Sequence, residues 1–303
     1  MSSIGSLTPG VRDDLATLVT AQSLQQHTEW VSQAPSAIPG LLKSAGYTLV
    51  VPVMSPSGTG GQGYVARRGD QIVISFRGSK GDDEVETILN VLADIDARRV
   101  EPVAVMPDVH GALAHEGFYR EYQSFQSAVR AATAASPGVQ VFVTGHSLGS
   151  SIATHCAVDL ALAQDRPVTL ICSGTPRVGN QVYADQALAA AGGAALRIVL
   201  NRDPVPRLPP HGSDKRGFWH IRSLVCLEGD GTPTPLSKIN GNAFTVHSEH
   251  ESTKFHARAA YKTALDGLVA AATNNPKVLS AAWGQAPFLA AGDAEAKSVE
   301  GLI

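Results

Sequence analysis

Across 303 residues there are three cysteines, no cluster of lysine and arginine, and no apolar run approaching the roughly 18 uninterrupted residues that a membrane-spanning helix needs. Each absence removes a class of function. Cys156, Cys172 and Cys226 stand apart in apolar surroundings without the spacing of metal ligands, so neither a disulfide framework nor a zinc site is expected. All three read as small core residues. The 24 basic side chains nearly balance 27 acidic ones and form no stripe that would track phosphates, which argues against nucleic acid as a partner. The opening stretch Met1 to Leu7 has neither a basic start nor an apolar segment, so no secretory signal is expected there. No proline-rich, serine-rich or charged linker divides the chain and no internal repeat is found. One domain over residues 1–303 is expected, ending in a weakly specified Ala/Gly-rich extension over about 274–303.

What the chain does have is a serine at the apex of a strand, a sharp turn and a helix. The β-branched, apolar run beginning at Val141 ends in Gly145-His146-Ser147-Leu148-Gly149, and a helix-compatible stretch follows at once. A turn of this kind holds its serine in a strained conformation, and a Cβ two residues before or after it would collide with the helix or the strand. Ser147 is therefore the candidate nucleophile. The competing reading is a glycine-rich turn whose serine caps a helix.

Strands are predicted at Tyr47–Met54, Gly63–Ala66, Gln71–Phe76, Val168–Cys172, Leu196–Leu200 and Trp219–Leu227. Helices are predicted from about Thr8 to Ala34, Tyr119 to Ala135, after the Ser147 turn, Gln181 to Ala191, and Phe255 to Ala271. Gln71–Phe76 is almost wholly apolar, as a strand buried on both faces must be. Repeated alternation of strand and helix at these lengths implies an α/β fold with a mainly parallel central sheet flanked by helices.

From Asp82 to Asp96 the spacing places Val85, Ile88, Leu89 and Leu92 on one face of a helix, with polar residues mostly opposite. Asp82, Asp83 and Glu84 stand at its start, where the helix dipole favours negative charge. An ordinary surface helix has this pattern. Its position directly after the turn Arg77-Gly78-Ser79 also suits a mobile cover over a cleft.

A serine hydroxyl attacks only when a base takes its proton, and the base needs a third group to orient it. Functional residues of open α/β sheets gather beyond the carboxyl ends of the strands, where Asp203 follows Leu196–Leu200. Asp203 is the candidate acid. Among the later histidines, His247, His250 and His256 all lie in the stretch entering the last helix; His256 is preferred, with the other two left open. Developing negative charge calls for two donors: the backbone N–H of Leu148, next after the serine, and Ser79, after an earlier strand. This chemistry calls for no cofactor and no metal.

Five motifs in order, Ile74-Ser75-Phe76-Arg77-Gly78-Ser79, His115-Glu116-Gly117-Phe118, Val143 to Gly149, Gly174 to Asn180, and Asp203-Pro204-Val205-Pro206, give the chain a resemblance to the class 3 lipases. The resemblance implies an α/β-hydrolase fold, Ser147, Asp203 and a histidine as the triad, and Ser79 with Leu148 as the oxyanion hole. It also implies a helical lid within about 80–95 over an acyl-binding cleft. His256-Ala-Arg-Ala-Ala-Tyr261 is similar to the family's histidine with an aromatic a few residues on. The family's lid commonly carries a tryptophan after an asparagine; this stretch has none. The expected activity is a triacylglycerol lipase or esterase acting on a lipid or other ester substrate. Phospholipase A1 and feruloyl-type esterase share the triad, and a catalytically inactive lipid-binding protein is the alternative of another class.

Overall fold

The computed structural model describes residues 15–54, 61–78, 98–192, 194–210, 217–221, 224–235, 252–275, 277–278 and 282. Helices α1 (Leu15–Trp30) and α2 (Ile38–Ser44) lead into strands β1 (Thr48–Met54), β2 (Gly63–Arg68) and β3 (Gln71–Phe76). A short pair, β4 (Arg99–Val100) and β5 (Ala114–His115), precedes α3 (Glu116–Ala134). Then come β6 (Gln140–His146), α4 (Leu148–Gln164), β7 (Val168–Ser173), α5 (Gln181–Ala190), β8 (Ala195–Leu200), β9 (Leu224–Leu227) and α6 (Arg258–Asn274).

Seven strands form one sheet in the order β1-β2-β3-β6-β7-β8-β9. From β3 onward every neighbouring pair is parallel, and β1-β2 and β2-β3 are antiparallel. The expected parallel sheet is thus preceded by a hairpin meander, whose β2-β3 turn places Gly69 at φ 61°.

Period-two alternation sends β3 and β6 side chains to opposite faces. Ile72, Ile74, Phe76, Val141 and Val143 join one core with residues of α3, α4 and α5. Val73 and Phe142 join a second core with Leu18 and Leu24 of α1 and Leu265 and Leu268 of α6. All six residues of β3 are buried. Burial of each large apolar side chain contributes roughly 1.5–3 kcal/mol, against about 1 kcal/mol for a typical hydrogen bond, so the two apolar faces fix the strand register.

Several elements depart from the sequence expectation. The first helix ends at Trp30, and a second begins at Ile38 with Pro39 in its first turn, where a proline lacks only an N–H that has no partner anyway. The late strand is confined to Leu224–Leu227, because Trp219 makes a single antiparallel bridge, to Gly179. The last helix is preceded by a 3₁₀ turn at Thr253–His256. Cys156, Cys172 and Cys226 are buried and unbridged, as expected of core residues. Ser79, His247 and His250 lie outside the described residues, as do the predicted lid with Val85, Ile88, Leu89 and Leu92 and nearly all of the extension after Asn275. Among the described residues, no helix is long and apolar enough to cross a membrane.

Candidate active site

Parallel strands β6, β7 and β8 end on the same side of the sheet, and the candidate residues collect beyond those ends. Ser147 joins β6 to α4 at φ 58° and ψ −132°. Such a backbone costs of order 1–3 kcal/mol in a residue with a Cβ and persists because its surroundings hold it. The flanking glycines supply that hold. A Cβ on Gly145 would lie 2.2 Å from the carbonyl oxygen of Gly149, and one on Gly149 would lie 2.3 Å from that of Phe76. The turn is therefore packed against the end of β3 as well as against itself.

Leu148 opens α4, so its backbone N–H is among the first-turn donors that have no partner within the helix. The exit of β3 passes close by: a Cβ on Gly78 would sit 3.3 Å from Cβ of Ser147 and 3.8 Å from the Leu148 nitrogen. Gly78 immediately precedes Ser79. Arg77 fixes this exit through its Nη1, which donates to Gln62 Oε1 at 2.9 Å, while Gln62 Nε2 donates to the carbonyl of Val31 at 2.7 Å.

Asp203 follows β8 and is fully buried. Its Oδ1 accepts from the Val205 backbone N–H at 2.9 Å. Its Oδ2 accepts from His256 Nδ1 at 2.8 Å and from the Tyr261 hydroxyl at 2.6 Å. Because the Leu200 backbone N–H donates to the same hydroxyl oxygen at 3.2 Å, the tyrosine proton is committed to the carboxylate. In the neutral imidazole, the Nδ1–H bond to Asp203 leaves Nε2 as the acceptor, the arrangement a general base requires. Ser147 Oγ and His256 Nε2 are both buried and have no hydrogen-bond partner among the described residues. Serine to histidine contacts often tighten only when substrate arrives.

His146, just before the serine, packs its ring 4.7 Å from that of His256 and 5.4 Å from that of Tyr261. Burial, reinforced by His256 and Arg258, holds its pKa well below the ordinary histidine value. A neutral ring therefore stands beside the base. The Tyr261 hydroxyl is pushed well above the usual tyrosine range by burial and by the Asp203 carboxylate, and remains a donor.

Gly174, at the end of β7 with φ 59°, closes the site from below: a Cβ there would lie 3.1 Å from His256 Cε1, 3.2 Å from His146 Nε2 and 3.3 Å from Asp203 Oδ2. Gly174→Ala is expected to lower kcat on a soluble ester by about tenfold, since the new Cβ strains the backbone and pushes the His256 and Asp203 side chains out of their productive alignment. Initial rates of the purified variant at saturating ester check this.

Of the residues singled out by sequence, the structure brings Asp203 and His256 into contact beside the Ser147 elbow and sets Leu148 at the helix start. His220 is turned elsewhere, its Nε2 donating to the Pro206 carbonyl at 2.6 Å. The hydrogen bond from Tyr261 and the ring of His146 were not anticipated. Tyr261 was visible as an aromatic five residues beyond His256, a separation that a turn of helix spans.

Residues 73–213 match the family model of class 3 lipases. The chain is similar to a secreted mono- and diacylglycerol lipase of Fusarium solani, 37% identical over 134 residues that cover 43% of this chain and 38% of that one. It is also similar to a phospholipase A1, EG1, chloroplastic/mitochondrial, of Oryza sativa subsp. indica, 31% identical over 194 residues covering 52% and 43%. A solved triacylglycerol lipase, described as having a serine protease triad for its catalytic centre, superposes with a TM-score of 0.58 at 28% identity, covering 71% of this chain and 82% of that one. The chain spans about two fifths of the length of the curated relatives it matches. The family match takes in β3, the Ser147 elbow and Asp203, and stops short of His256. Over residues 73–213 the chain is similar to the class 3 lipases, and it has the α/β-hydrolase fold of the solved lipase on which it superposes.

Proposed function

We propose that the protein is a serine carboxylic ester hydrolase, a lipase that releases fatty acids from acylglycerols. The observation that carries the reading is the 2.8 Å hydrogen bond from His256 to the buried Asp203, beside a serine held at φ 58°. Ser147 Oγ attacks the ester carbonyl as His256 Nε2 takes its proton, and Asp203 holds the imidazole in register and stabilises the imidazolium. The carbonyl oxygen becomes an oxyanion that accepts from the Leu148 N–H and from Ser79. Collapse expels the alcohol, which leaves with the proton from His256. Water, deprotonated by the same nitrogen, then attacks the acyl-enzyme and frees the acid and the serine. Within the same reading, the stretch 80–95 is the lid and Val85, Ile88, Leu89 and Leu92 are its substrate-binding residues. The name of the Fusarium relative supports a secreted setting.

The test is a fluorophosphonate probe followed by mass mapping. A single modified peptide bearing the label on Ser147 is expected; an unlabelled serine sinks the triad. The rice relative favours a second reading, phospholipase A1 activity with the same residues. Fatty-acid release from triacylglycerol emulsion against phospholipid vesicles separates them, and faster release from vesicles would transfer the assignment.

A further inference from the structure

We infer that Gln25, in α1, is a positioning residue of this site: one buried amide ties the strand end behind the nucleophile to the start of α6, two residues after the histidine. Its Oε1 accepts from Ser173 Oγ at 2.8 Å, and its Nε2 donates to the Arg258 carbonyl at 3.3 Å. Ser173 is the last residue of β7, and its carbonyl accepts the backbone N–H of Ser147 at 3.1 Å. Arg258 is the first residue of α6, two beyond His256. A continuous hydrogen-bonded path therefore runs from the nucleophile's own amide through Ser173 and Gln25 to the first residue of α6, just after the turn that holds the histidine.

This path is independent of Asp203. The carboxylate reaches His256 from the loop after β8 and fixes the imidazole's tautomer and rotation, but it does not link the start of α6 to the elbow. The α1 strut adds that link from the opposite core. Gln25 is 3% exposed, among Leu18, Ala21 and Leu24 of the same helix. An amide in such a place costs free energy unless both ends are bonded, and an aliphatic side chain would serve packing alone equally well. Both ends of Gln25 are bonded, and both partners belong to backbone or side chains that adjoin the site.

The inference rests on the proposed triad, and the experiment separates the two. Gln25→Leu keeps most of the volume and removes both bonds. Ser173→Ala cuts the same path with the loss of one oxygen, and decides the matter if Gln25→Leu fails to fold. Gln25→Glu keeps an acceptor for Ser173 and loses the donor to Arg258. Gln22→Leu is the control, since Gln22 Nε2 donates to Asp266 Oδ1 at 2.7 Å on the same α1 to α6 contact, away from the site. On a soluble p-nitrophenyl ester, Gln25→Leu and Ser173→Ala are expected to lower kcat by about tenfold with KM unchanged, and to slow fluorophosphonate labelling of Ser147 equally. Gln25→Glu is expected to recover part of that loss, and Gln22→Leu to lower Tm with kcat intact. Wild-type kcat and labelling rate in Gln25→Leu and Ser173→Ala would overturn the strut, as would a kcat loss in Gln22→Leu matching theirs. A wild-type protein that takes no label at Ser147 would instead remove the triad beneath it.

Discussion

Ser147→Ala is expected to reduce hydrolysis of a p-nitrophenyl ester by about 10⁶-fold in kcat, the scale on which removal of a nucleophile silences a serine hydrolase of this mechanism. Retained turnover within tenfold of wild type would refute the assignment. The elbow adds a second readout that loss of activity alone does not provide. At φ 58° and ψ −132°, the backbone of Ser147 stores strain that a glycine does not feel. Ser147→Gly is therefore expected to be as inactive as the alanine variant and more stable than wild type by about 1 kcal/mol, after allowance for the greater freedom of glycine in the unfolded chain. Thermal unfolding of the two variants side by side tests this. A glycine variant no more stable than the alanine one would mean that the serine conformation is not strained in solution.

Between pH 7 and pH 5 the fold is expected to lose about 4 kcal/mol of stability through two histidines remote from the reaction. His27 hydrogen-bonds the Tyr64 hydroxyl at 2.7 Å and His155 that of Tyr183 at 2.6 Å, and both are fully buried. Burial, aided by Arg68 for His27 and by His115 for His155, lowers each from 6.5 to about 3. Both are thus neutral in the folded protein throughout this range and take up a proton on unfolding below about 6.5. A folded-state pKa depressed in this way gives stability that is present above the unfolded value and lost as pH falls through it. At pH 5 the loss is about 2 kcal/mol per histidine, and the sum is a large share of the 5–15 kcal/mol typical of a domain. Urea unfolding at the two pH values measures it. His155→Asn removes one titrating group and is expected to reduce the difference by about 2 kcal/mol; an unchanged difference would place the acid sensitivity elsewhere.

The parts of the fold that were legible in the sequence are those set by local sterics. Gly145 and Gly149 have no room for a Cβ, and that requirement can be read from the pattern alone. Strands β3 and β7 were delimited to within a residue because both of their faces are buried, so apolar side chains predominate on both. The antiparallel start of the sheet was not legible, since an apolar strand carries no sign of its neighbour's direction. Trp219 to Ile221 reads as a strand because Trp219 bridges to Gly179 and Ile221 joins the core, while the ladder itself begins only at Leu224.

The candidate site divides in the same way. Ser147 and Asp203 are announced by the turn and the strand end that carry them. His256 is not, because its place depends on how α6 packs against α1, far away in the chain. Tyr261 and Gln25 act through partners 58 and 233 residues distant, separations at which no local pattern operates.

That separation bears on when the molecule acquires activity. The α1 to α6 contact joins residues up to 244 positions apart, as in Gln22 and Asp266. Contacts of such long range form late, after the entropy of closing the intervening chain has been met. During synthesis the elbow and Asp203 leave the ribosome well before His256, and α1 waits for a partner that is made later still. A nascent chain that exposes Ser147 is therefore expected to be inert toward esters until α6 docks, so that latency in the producing cell is written into the order of the chain.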